Sequence, residues 1–152
     1  MKLTNLIGKI ILVAALLCGK AALAQVTTTH AAILQNGPNG KAVEAWYTAW
    51  EKKDWNLMQR TLADGFTFSS PLDDHITIAA MKKRCWPNAY KIKKFDLDKI
   101  VVNGDQIVVI SNGWTTSGKL ARNSDYFKLK DGKILAYECF FGPGINYPLS
   151  GK

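Results

Sequence analysis

Three short turn signals divide the second half of the chain into four apolar-rich runs, and few folds accept that pattern. Asn103-Gly104-Asp105, Ser117-Gly118 and Asp131-Gly132 separate Phe95 to Val102, Gln106 to Thr115, Lys119 to Lys130 and Lys133 to Phe141. Asn-Gly and Asp-Gly tolerate the positive φ that tight hairpins demand, so the runs predict an antiparallel meander. Ahead of it, Val43, Trp46, Tyr47 and Trp50 recur at i, i+3, i+4 and i+7, the buried stripe of a helix starting near Lys41. Asp54 is placed to cap a second helix that turns Trp55, Met58 and Leu62 inward. After the Asp64-Gly65 turn, alternation in Phe66-Thr67-Phe68-Ser69-Ser70 predicts a strand ended by Pro71. Asp73-Asp74-His75 reads as a loop, and Thr77 caps a third helix, with Ile78, Met81 and Cys85 inward, that stops at Trp86-Pro87. Helices followed by a meander make an α+β domain.

The amino end has a different character. Met1-Lys2 and Lys9 precede an apolar run from Ile10 to Cys18, and Ala22-Leu23-Ala24 precedes Gln25, which predicts an export signal cleaved after Ala24. The apolar run is too short for a retained anchor, which takes roughly 20 residues, so no stable membrane anchoring is expected. The alternatives are a buried amino-terminal helix and lipid attachment at Cys18, the latter opposed by the bulk of Leu17. The organisation is therefore a signal over 1–24, a flexible threonine-rich segment over 25–40, one domain over 41–145 and a tail over 146–152. Processing would leave 128 residues with a net charge of +5 in the periplasm or outside the cell. Those charges are dispersed rather than packed in a tract, which argues for a solvated surface and against a nucleic-acid partner.

Cys85 and Cys139 would remain after processing, either bridged in an oxidising compartment or free as small apolar side chains. No Cys-x-x-Cys occurs, and His30 and His75 lack ligand spacing, so no metal site is expected. No glycine loop suited to phosphate and no serine, histidine and aspartate set is present, and no cofactor is expected.

One carboxylate stands out. On the run through Asp125, one parity carries Asn123, Asp125, Phe127 and Leu129, and the apolar pair assigns that parity to the core. An inward carboxylate is costly unless partnered, and apolar surroundings raise its pKa. Asp125 is thus either a pocket residue with chemistry to perform or a satisfied structural carboxylate. Trp46, Trp50, Trp86 and Trp114 are each explained by core packing, but four around one small core also suit the walls of a ring-binding pocket.

The order of these pieces, with Ala63-Asp64-Gly65-Phe66-Thr67-Phe68 after two helices and Arg122 to Ile134 spanning the penultimate hairpin, resembles the nuclear transport factor 2-like superfamily. Within it, residues 40 to 142 are most similar to the SnoaL-like polyketide cyclase and ketosteroid isomerase branch. The resemblance implies a cone-shaped fold, with three N-terminal helices packed on a strongly curved, mostly antiparallel sheet. It also implies an apolar pocket at the open end and a homodimer formed through the sheet. Asp125 matches the inward aspartate that donates a hydrogen bond or serves as acid/base in those enzymes. Counted without gaps, their first-helix tyrosine falls on Trp46 and their catalytic base on Ser70, which cannot take a carbon-bound proton as a carboxylate would. Asp73 or His75 stands near the mouth as a replacement base, or else both are solvated loop residues.

The reading is an exported protein that binds a small apolar or ring-bearing molecule, with binding favoured over catalysis because the catalytic positions are only partly kept. Trp46 and Ser70 would orient the ligand, Trp50, Asn123 and Phe127 would join Trp86 and Trp114 around it, and Asp125, with His75 as a weaker candidate, would supply any chemistry. The alternatives are a cofactor-independent isomerase, cyclase or hydratase, and a dimeric interaction module whose cavity is filled by its own aromatics.

Overall fold

The computed structural model describes Leu34 and residues 37–141. The expected signal over 1–24, most of the segment over 25–40 and the tail over 146–152 lie outside the described residues. The order is α1 (Gly37–Lys52), α2 (Trp55–Thr61), β1 (Leu62–Ser70), β2 (Asp73–Ile76), α3 (Ile78–Arg84), a 3-10 turn (Trp86–Lys91), β3 (Ile92–Asn103), β4 (Gln106–Thr115), β5 (Leu120–Lys130) and β6 (Lys133–Phe140). The chain is an α+β fold in which helices pack on a curved, unclosed six-strand sheet of order β2-β1-β6-β5-β4-β3. Only β1 and β6 run parallel; every other pair is antiparallel.

Each helix follows from local chemistry. α1 begins at Gly37, four residues ahead of the Lys41 start read from periodicity, because Pro38 is preorganised for a first helical turn. Val43, Trp46 and Tyr47 are buried and Trp50 is half-buried, so the stripe faces the sheet. The Asp54 side chain accepts from Leu57 N at 2.8 Å and starts α2. Thr77 accepts from Ala80 N at 3.3 Å and starts α3.

Two local readings are corrected. The Asp64-Gly65 turn is not a break before the strand but an irregularity inside β1, where Gly65 takes φ +78 and the register to β6 shifts. The stretch Asp73–Ile76 is not a loop but a short edge strand on β1, with Phe68 opposite Ile76 and Ser70 opposite Asp73. The meander matches the sequence reading closely, with Asp131 at φ 51 and Gly132 at φ 73 forming the last hairpin turn.

The core lies between α1 and the inner sheet face. Trp46 meets Phe127 edge-on with ring centroids 6.0 Å apart and lies 4.3 Å from the ring of Tyr137. Across the sheet's end, Glu51 accepts from Phe95 N at 2.6 Å, and Lys53 Nζ donates to Ile92 O at 2.7 Å. These bonds tie the end of α1 to β3 where its register to β4 shifts. Among the described residues, no helix is long and apolar enough to cross a membrane.

Candidate functional site

Alternation on β5 turns Asn123, Asp125 and Phe127 to the helix side, as the parity argument requires. Phe127 is fully buried in the core and does not line the cavity. Asp125 is 1 % exposed and satisfied by three donors. Tyr47 Oη donates to Oδ2 at 2.7 Å, Ser111 Oγ to Oδ2 at 3.2 Å, and Tyr137 Oη to Oδ1 at 2.8 Å. Burial raises the Asp125 pKa above the ordinary carboxylate value, and the bonds from Tyr47, Tyr137 and Ser111 oppose that rise without cancelling it. Burial, with the Asp125 charge next in size, holds both phenols well above their ordinary value. The tyrosines are therefore protonated donors, and Asp125 is their common acceptor.

Above this network lies a cavity of about 340 Å³. Trp46, Trp50, Phe68, Phe95 and Tyr137 give it aromatic walls, Asn123 and Cys139 contribute from the strands, and Leu72, Arg84, Asn88 and Phe141 bring it to the surface. Asp125 does not line it; Tyr47 and Tyr137 do. The carboxylate is thus set behind the wall, where it orients two phenols, rather than presented to a bound molecule.

A second carboxylate does line the cavity. The Asp73 side chain is 8 % exposed, with Oδ1 2.6 Å from Arg84 Nη2. Ser70 Oγ donates to its Oδ2 at 3.0 Å, and Cys85 Sγ does so at 3.6 Å. Pairing of β2 with β1 sets Asp73 opposite Ser70, while α3 supplies Arg84 and Cys85. Cys85 and Cys139 are free thiols, pushed up by burial to about 11 and about 12. Among the described residues, no group of three or more His, Cys, Asp or Glu is placed to hold a metal.

The residues singled out in the sequence are thus partly brought together. Trp46, Trp50, Ser70 and Asn123 line the cavity. Trp86 packs against Trp50 and Trp55 at 4.8 and 5.0 Å and supports the wall from behind. Trp114 lies on the opposite face of β4 from the buried Ile107, Val109 and Ser111, where its Nε1 donates to Asp96 at 2.6 Å. Trp46, Trp86 and Trp114 therefore do not converge to fill the cone. His75 is exposed, takes φ 47, pairs with its neighbour Asp74 and does not line the cavity.

Tyr47 and Tyr137 were not legible as site residues. Tyr47 belongs to the apolar stripe of α1, and its hydroxyl, not a group on Trp46, meets Asp125. Tyr137 follows a register shift near the Leu129–Ile134 pairing, so the apolar parity of β6 does not run through from the hairpin.

Comparison with known proteins adds the family. The model of the SnoaL-like domain matches residues 43–137. No curated protein matches the chain in sequence. Among solved structures, a candidate polyketide cyclase from Sinorhizobium meliloti is similar with a TM-score of 0.58 at 21% identity, covering 66% of this chain and 94% of that one. An NTF2-like protein of unknown function from Cytophaga hutchinsonii gives 0.54 at 21%, covering 67% and 88%. A protein with a ketosteroid isomerase-like fold from Catenulispora acidiphila, solved in complex with trimethylamine, gives 0.55 at 16%, covering 67% and 85%. At these identities the likeness concerns the fold.

Proposed function

This chain belongs to the SnoaL-like domain family, and from that premise we propose that it binds one small apolar or ring-bearing molecule without turning it over. The observation that carries the reading is the aromatic-walled cavity of about 340 Å³. Its size suits a small ligand, and the faces of Trp46, Trp50 and Tyr137 suit a flat ring. The commitment of Asp125 to three internal donors favours binding over turnover, because its lone pairs already serve the protein. That a protein of similar fold holds trimethylamine agrees with a small-molecule occupant.

Native mass spectrometry of the chain purified from its own host tests this. A retained small molecule, lost in Cys85→Phe, which projects a ring into the cavity, is the expected result. An empty chain that also shows no thermal shift with bicyclic hydrocarbons, ketones or alcohols rejects it.

A second reading, a cofactor-independent isomerase, cyclase or hydratase, is favoured by one observation, the carboxylate of Asp73 in the cavity wall. In it Asp73 accepts the proton and Asp125 acts only through the phenols. Turnover of ring ketones or enones that disappears in Asp73→Asn selects this reading.

Export and pairing belong to the same proposal. Export is supported by the basic start, the apolar run and Ala22-Leu23-Ala24; a mature mass beginning away from Gln25 contradicts it. Pairing of two copies through the outer sheet face is supported by exposed Val101 and Phe140 beside half-buried Val108, Ile110 and Tyr126. A sedimentation coefficient of a monomer at micromolar concentration contradicts it.

A further inference from the structure

The cavity wall is unevenly served with hydrogen bonds, and the imbalance has a direction. Ser70 and Cys85 spend their hydrogens on Asp73, while Tyr47 and Tyr137 spend theirs on Asp125. Among the described residues, two buried side-chain oxygens receive no hydrogen bond, Asp73 Oδ1 and Asn123 Oδ1. Asp73 Oδ1 is compensated by the Arg84 guanidinium at 2.6 Å. Asn123 Oδ1 has no such partner, although Asn123 lines the cavity two residues along β5 from Asp125.

Resting on the cavity reading above, we propose that the molecule bound there carries a hydrogen-bond donor, a hydroxyl or N–H on an otherwise apolar ring system, and that Asn123 selects it. The terminal torsion of an asparagine is soft, so the amide turns its carbonyl toward a donor at little cost. The acceptor is without a bond within the protein itself, and a molecule that brings a donor to it supplies the bond it lacks. A ring ketone offers acceptors only. It can meet the N–H end of the amide but leaves Oδ1 unserved, as it is within the protein itself, and so forgoes the bond that a donor adds. The site is therefore selective for the alcohol over the ketone of the same skeleton.

Calorimetric titration of the full chain with tetralol, tetralone and tetralin tests this, since the three share one bicyclic frame. Tetralol is expected to bind about tenfold tighter than either of the others, the worth of one well-placed hydrogen bond. In Asn123→Leu the preference should vanish while tetralin binds at least as tightly as before. Tetralone equal to or tighter than tetralol in the wild type overturns the proposal, and that comparison needs no variant to fold. Retention of the full preference in Asn123→Leu overturns it too. Equal binding of all three sinks the donor assignment and leaves the cavity reading standing; no binding of any sinks both.

Discussion

Tyr47 donates its phenol hydrogen to Oδ2 of Asp125 at 2.7 Å, joining the first helix to the fifth strand across 78 residues of sequence. Tyr137 completes the arrangement from the neighbouring strand at 2.8 Å. The carboxylate therefore acts as a fastener for two rings that form cavity wall, and its influence on any ligand passes through their orientation. Burial works against this fastener and the three donated bonds work for it; the net effect is a carboxyl that holds its proton more tightly than an exposed one.

Removing the fastener should be costly. Asp125→Ala leaves the hydroxyls of Tyr47, Ser111 and Tyr137 facing an apolar gap, and a loss of about 3–5 kcal/mol is expected in urea unfolding. Asp125→Asn keeps one acceptor oxygen of similar shape and should lose about half as much. An alanine variant as stable as the wild type would show that the network contributes nothing.

The same carboxyl predicts the pH response of the fold. Its pKa is raised in the folded chain, so the folded state binds the proton more tightly than the unfolded state. Its contribution to stability is fully present below the unfolded value of about 3.9 and is lost as pH rises through the folded value. The stability difference between wild type and Asp125→Asn should therefore move in favour of the wild type as pH is lowered from about 7 to about 4.5. Asp96 and Asp105 shift in the opposite direction, held low chiefly by bonds from Lys94 and Lys128, but both chains carry them and they cancel. A difference that is flat with pH contradicts the assignment.

How much of this was written in the sequence depends on how local each feature is. The hairpins were legible because Asn103-Gly104 and Asp131-Gly132 state their turns in two residues. Asp125 was legible as inward because parity on β5 runs unbroken to Leu129. The parallel pairing that sets Thr67 beside Ala136 has no local code, and the edge strand at Asp73–Ile76 exists only because β1 offers it a partner. The outward place of Trp114 is itself legible, since Ile107, Val109 and Ser111 claim the inner parity of β4. What lay beyond reach was the screening of Asp125 from the cavity, because the two phenols arrive from a helix and from a strand whose register shifts.

The last hairpin also makes a contact that can be isolated. Gly132 takes φ 73, and a Cβ built there would lie 2.7 Å from Cβ of Pro38 at the start of α1. Gly104 takes φ 60 with open space around it. Gly104→Ala should cost only the strain of a left-handed residue, about 1 kcal/mol, and Gly132→Ala about 1–2 kcal/mol more, because hairpin and helix must separate. Equal losses in thermal unfolding would mean that the turn and α1 do not press on each other.

Finally, the thiols report on the cavity from within. Only the thiolate reacts with alkylating agents, and burial, followed by the neighbouring Asp73 charge, pushes Cys85 up to about 11. Relative to the ordinary thiol value of 9.0, the thiolate fraction at neutral pH falls about hundredfold, so iodoacetamide should modify Cys85 about a hundred times more slowly than free cysteine. Asp73→Asn removes the charge and the better acceptor but leaves the burial, and should recover part of that factor. A cavity ligand covers the sulfur and should slow the reaction further without changing its pH dependence. Cys139, pushed up to about 12, should react more slowly still. Rapid labelling of either thiol in the native chain at neutral pH would mean that this wall of the cavity opens to solvent, and the ordering Cys85 before Cys139 is read directly by peptide mass mapping.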